Sequence, residues 1–144
     1  MRAGKFLEQI RHDDLVAAIG EAEKKTSGEI RVFISHKAVP DAVAVAQRHF
    51  VGLGMDKTRD HNAVLIFVVP RSRKFAVIGD TGVHARCGDR FWRELAAEIS
   101  GHFAEHQFNR GLLHAIKKAG DLLAEHFPHR PDDQNELPDT VETD

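Results

Sequence analysis

The residues of this 144-residue chain best placed to do chemistry are Gly79-Asp80-Thr81-Gly82 and the polar residues that could gather around them. This turn follows the apolar run Phe75-Ala76-Val77-Ile78 and precedes a long helical stretch, so it delivers a carboxylate and a hydroxyl to a sheet edge. Asp80 is the leading candidate metal ligand, with Asp56, Asp60, Glu29 and the amide of Asn62 as candidate partners. Carboxylate and amide oxygens suit hard cations, here Ca²⁺ or Mg²⁺. A phosphoryl group would find backbone N–H donors in the same turn, with Arg59 or Arg86 to balance its charge. Asn62, Gly79, Thr81, Gly82, Arg59 and Arg86 therefore form the candidate ligand-binding set. Against these readings stands a plain one, in which Asp80 and Thr81 only satisfy the hydrogen bonds of a turn and a helix cap.

Other motifs carry less. Cys87 and Arg93 have the cysteine-x5-arginine spacing of thiol phosphatases, but the bulky Phe91 and Trp92 between them suit a helix core better than a phosphate cradle. His102-Phe103-Ala104-Glu105-His106 matches the H-x-x-E-H metallopeptidase pattern, and two histidines four apart on one helix face could share a zinc ion. A peptidase would need a third protein ligand, and such enzymes are built on much larger domains. Gly79-x-x-Gly82 is too short for a dinucleotide fingerprint. No P-loop and no serine nucleophile elbow is present. Binding rather than turnover is therefore expected, with phosphatase chemistry the alternative if the chain is an enzyme.

The elements that must position these residues follow from the patterning. Asp13 reads as the cap of a helix with Leu15, Ile19 and Ala22 on its apolar face, ending near Thr26-Ser27-Gly28. Residues 29–35 alternate as a strand with one strongly buried face. Pro40 suits the first turn of a second helix reaching Gly52, and residues 54–62 form a polar loop. Residues 63–69 and 75–78 form a hairpin. Residues 84–106 read as one amphipathic helix with Trp92, Leu95, Ala96, Ile99 and Phe103 on a face. Asn109 reads as the cap of a last helix burying Leu112, Leu113, Ile116 and Leu123. The first two strands, joined by a helix, should be parallel through a right-handed crossover, and the hairpin adds an antiparallel strand. The expected architecture is α/β, a three-layer α/β/α sandwich with a small mixed central sheet. Strand direction then puts residues 79–82 beside residues 56–62, and near residues 26–29.

Composition bounds the rest. The chain is long enough for one domain with a real core, expected over residues 1–130. The last thirteen residues hold six acids and no Lys or Arg, so residues 131–144 read as an acidic, flexible tail. The remainder is only mildly basic, which does not argue for nucleic acid. No apolar run is long enough for membrane insertion, and the amino terminus has no signal-like apolar segment. A single cysteine, Cys87, permits no internal disulfide and fits a reducing compartment, so a cytoplasmic location is expected.

At these residues the chain resembles the TPM domain family, named for a thylakoid lumen protein, a photosystem II repair protein and a modulator of nematode acetylcholine receptors. The resemblance rests on Thr26-Ser27-Gly28-Glu29-Ile30, on Asn62-Ala63-Val64-Leu65-Ile66-Phe67-Val68, on residues 75–82, and on Phe103 with Phe108-Asn109-Arg110-Gly111-Leu112-Leu113. It spans roughly residues 13–127 and implies an α/β/α sandwich. It also implies divalent-metal binding in some members, acid phosphatase activity in a plant member, and accessory roles in membrane-complex maintenance in others. Many relatives carry a signal peptide and a membrane anchor, and this chain resembles a soluble subfamily with neither. The resemblance thus implies a cytoplasmic TPM-type binding or accessory domain, with a metal ion or a phosphate-bearing ligand bound around Asp80. A metal-dependent, acid phosphatase-like hydrolase on the same loops and a pure protein-interaction module are the alternatives.

Overall fold

The computed structural model describes residues 1–88, 90–129 and 141–144. Its centre is a mixed sheet of β1 (Glu29–Ile34), β2 (Ala63–Val69), β3 (Lys74–Gly79) and β4 (Val141–Thr143), in the order β3-β2-β1-β4. β1 and β2 run parallel, with Glu29 opposite Ala63 and Ile34 opposite Val68. Helix α3 (Ala42–Gly52) joins them, as a parallel pair requires. β2 and β3 are antiparallel, with Val64 opposite Gly79 and Val69 opposite Lys74. This is the three-layer α/β/α arrangement expected from the order of elements.

Two cores flank the sheet. On one face Ile30, Val32, Ile34, Val64, Ile66 and Val68 pack under α2 (His12–Glu23), α5 (Arg90–Ala104) and α6 (Phe108–His126). On the other, Phe33, Ala63, Leu65, Phe67 and Val69 pack under α3, against Ala46 and Phe50. Every residue of β1 and β2 is therefore buried, so β1 is covered on both faces and not on one. Along α6, Leu112, Ile116 and Leu123 are fully buried, each stabilising the fold by about 1.5–3 kcal/mol. Gly111 and Gly120 let Phe103 and Ala22 of neighbouring helices close on that face.

Several boundaries differ from the sequence expectation, each for a local reason. A short helix, α1 (Ala3–Glu8), precedes α2 and buries Phe6. Asp13 lies inside the first turn of α2, whose cap is Arg11. Pro40 lies outside α3, because Asp41 caps that helix by accepting from the Ala44 N–H. The stretch 84–106 is two helices, α4 (Thr81–Cys87) and α5, because Gly88 at φ 72° and ψ −179° leaves helical space. Asn109 lies within α6, and its side chain instead accepts from the Arg11 N–H at 2.7 Å. The acidic carboxy-terminal segment ends in a strand: β4 pairs with β1 from Val32↔Val141 to Ile34↔Thr143, and Val141 joins the core. The rest of that expected tail, residues 131–140, lies outside the described residues. Among the described residues, no helix is long and apolar enough to cross a membrane.

Candidate functional site

Three segments meet at one end of the sheet. The end of β3 reaches the start of β2 through the Asp80 N–H, which donates to the Ala63 carbonyl at 3.0 Å. Asp80 then caps α4, its Oδ1 accepting from the Thr81 N–H at 2.8 Å and its carbonyl from the Val83 N–H at 3.0 Å. Residues 56–62 lie directly alongside, since a β-carbon on Gly82 would stand 2.6 Å from the His61 carbonyl oxygen. On the far side of β2, the Asn62 Nδ2 donates to Ser27 Oγ at 3.1 Å. Thr26 in turn ties this corner to the end of α6: its hydroxyl donates to the Phe127 carbonyl at 2.5 Å and accepts from the Gly28 N–H.

The corner contains side-chain oxygens with unmet hydrogen-bonding capacity. Asn62 is 1% exposed, and its Oδ1 has no hydrogen-bond partner among the described residues. Asp56 Oδ1, in the single-turn helix Met55–Lys57, and Asp80 Oδ2 are also buried without one. Asp80 Oδ2 does have an electrostatic neighbour, His61 Nδ1 at 3.4 Å, in a contact that lacks hydrogen-bond geometry. A buried oxygen left this way costs on the order of 1–3 kcal/mol.

The candidate residues fall unequally into this picture. Asp80, Gly82, Asp60, Asn62 and Gly79 belong to one contiguous corner, and Thr81 opens α4 there. Glu29 is the buried first residue of β1, opposite Ala63 in register. Asp80, Asp56, Asp60 and Glu29 do not close into an acidic cage: among the described residues, no three His, Cys, Asp or Glu side chains form a metal-holding group. A cation in this corner would have to add the Asn62 amide oxygen or backbone carbonyls to its carboxylates, a mixture that Ca²⁺ accepts. Arg59 is exposed on the 56–62 loop. Arg86 is already engaged, its Nη1 donating to the His126 carbonyl at 2.8 Å and its guanidinium lying 4.6 Å from the Phe127 ring centroid.

His61 is the residue that sequence patterning overlooks. It holds the left-handed conformation at φ 49°, which a non-glycine residue adopts rarely. Its one signal in the sequence is its place between Asp60 and Asn62. The two catalytic look-alikes do not assemble. Burial, reinforced by Glu125, raises the Cys87 thiol above its ordinary range and keeps it protonated. Phe91 and Trp92 pack edge to face at the core margin, as helix residues rather than as part of a phosphate cradle. Helix α5 ends at Ala104 and His106 lies in the following turn at φ 58°, so His102 and His106 share no helix face. His102 instead lies beside His114 of α6, ring centroids 5.5 Å apart.

A mixed four-stranded sheet between two helical layers, with a polar corner where β3 returns to β2, defines an α/β/α sandwich. The TPM domain pattern matches residues 2–122, and the chain belongs to the TPM domain family. It is similar to the BA42 protein of the psychrophilic bacterium Bizionia argentinensis, at 38% identity over 92% of each chain with a TM-score of 0.85. It shares its fold with the N-terminal domain of a P. gingivalis protein, at 16% identity over 79% of this chain and 76% of that one, with a TM-score of 0.60. Comparison with curated proteins finds no match.

Proposed function

We propose that this TPM domain is a binding or accessory module whose loop corner takes a hard divalent cation, Ca²⁺ or Mg²⁺, through oxygens of Asp80, Asn62 and Asp56. The observation that carries the reading is that each of these residues has a buried side-chain oxygen with no hydrogen-bond partner among the described residues. An ion with six to eight oxygen ligands would satisfy them together with nearby carbonyls. Binding is favoured over turnover on chemical grounds. Phosphoryl transfer needs a nucleophile or an activated water in line with phosphorus, whereas Cys87 is held protonated and Arg86 is tied to the end of α6. A cytoplasmic setting accompanies the proposal, resting on the single cysteine.

Calorimetric titration with Ca²⁺, Mg²⁺ and Zn²⁺ tests it, using the wild type, Asp80→Asn and Asp80→Ala. Asp80→Asn keeps an oxygen for the Thr81 N–H cap while removing the charge, so it should fold normally and bind Ca²⁺ at least about tenfold more weakly. Asp80→Ala should also lose about 1 kcal/mol of stability through the missing cap. Absence of saturable binding in the wild type, or equal affinity in Asp80→Asn, would exclude this corner as the cation site.

A further inference from the structure

The opposite end of the sheet holds a second feature that none of the chemistry above uses. A cleft of about 620 Å³ opens between α1, the β2–β3 turn and the junction of α5 with α6. That size lies within the range of about 300–1,000 Å³ typical of small-molecule sites. β2 separates it from the Asp80 corner by its own length, roughly 20 Å at about 3.3 Å per residue.

The cleft walls are aromatic. Phe6, Phe75, Phe103 and Phe108 all line it. Phe103 links the other three, with centroids 6.0 Å from Phe6, 5.7 Å from Phe75 and 5.5 Å from Phe108, each pair edge to face. Such a cluster offers an apolar ligand both area and shape.

The charge at the cleft has one sign. Lys5, Arg73 and Lys74 line it, with His106 beside them, and among the described residues no Asp or Glu does. Lys74 is partly engaged, donating to the Pro40 carbonyl at 2.5 Å. Neither Lys5 nor Arg73 has a side-chain acceptor among the described residues. Arg73 is also fixed in the left-handed conformation at φ 52°, where it ends the turn entering β3. An apolar cleft edged by two unanswered cations is complementary to a ligand with an apolar body and one anionic head.

We propose that this cleft binds a free amphipathic carboxylate, a medium-chain alkyl or aryl acid. Its apolar part lies along Phe75 and Phe103, which are backed by the buried Phe6 and Phe108, and its carboxylate lies between Lys5 and Arg73. The charged head accounts for selectivity, because charge-assisted hydrogen bonds are about twice as strong as neutral ones.

Amide chemical shifts followed during titration with decanoate and with decanamide test the proposal. Decanoate should bind saturably and shift Ser100, His106 and Phe108, and decanamide should bind about tenfold more weakly. The double variant Lys5→Gln, Arg73→Asn should bind decanoate about tenfold more weakly and leave decanamide unchanged, with asparagine chosen because it tolerates the left-handed backbone. Ser100→Trp, on the exposed side of α5 facing the cleft, should fill the space and abolish binding of both without removing a core residue. Equal affinity for decanoate and decanamide would overturn the proposal, as would wild-type affinity in either variant. So would sedimentation with phosphatidylglycerol vesicles in the absence of saturable decanoate binding, which would point to a lipid surface.

Discussion

Gly82 packs against the backbone of Asp60 so tightly that any β-carbon at residue 82 would collide with the Asp60 carbonyl oxygen. This contact joins the first turn of α4 to the 56–62 loop and so sets the shape of the polar corner. Neither partner can give way easily. The clash is with main chain, and the Asp80 cap and the Asp80–Ala63 hydrogen bond hold α4 in place.

Gly82→Ala should therefore destabilise the protein by about 1–3 kcal/mol, the usual cost of overpacking, although alanine is the better helix former. Gly101→Ala is the matched control, since nothing lies within 4 Å of a β-carbon there. The control should be neutral or gain up to about 1 kcal/mol. Urea denaturation of both variants measures the difference, and a neutral Gly82→Ala would mean that the corner is looser than its contacts indicate.

Gly88 divides α4 from α5 with φ 72° and ψ −179°, a conformation essentially reserved for glycine. A β-carbon there would meet open space, so the penalty for Gly88→Ala is purely one of backbone conformation. The variant should lose about 1–3 kcal/mol in thermal or urea unfolding. Gly52→Ala, also in open space but at negative φ, should not.

His49 lies against Phe33 and Phe67, ring centroids 4.2 and 5.5 Å away. Burial, aided by Lys37 and Arg48 and opposed by Asp144, lowers its pKa below that of a free imidazole. The folded protein therefore takes up this proton less readily than the unfolded chain. The stability linked to neutral His49 is fully present above pH ~6.5 and is lost as pH falls through the lowered folded value. Unfolding free energy should decline as pH falls below about 6.5, and His49→Phe should flatten that slope. Parallel slopes for the two proteins would assign the pH dependence to other groups.

Much of the polar corner was legible in the chain itself. The β-branched and aromatic runs of β1, β2 and β3 mark strands, and the helix between β1 and β2 forces them parallel. A five-residue connection then forces β3 to return. Those directions alone bring residues 79–82 beside residues 56–62, where the Asp80 N–H meets the Ala63 carbonyl. His61 was not legible, because its contribution depends on a left-handed backbone that no local pattern announces.

The sequence by itself determined the layers, the strand directions and the end of the sheet at which polar residues gather. Periodicity and connection length are local properties, and they suffice for these. The tertiary structure decided the rest. β4 exists because Val141 to Thr143 find an open edge of β1 far away in sequence, and three residues carry too little local signal to predict a strand. The aromatic cleft exists because Phe6, Phe75, Phe103 and Phe108, from four separate elements, meet only when α1 folds over the β2–β3 turn. Whether buried oxygens such as Asp80 Oδ2 and Asn62 Oδ1 meet a hydrogen-bond partner was decided there too. Which oxygens keep a hydrogen-bond partner is settled by neighbours in space, and composition holds no record of them.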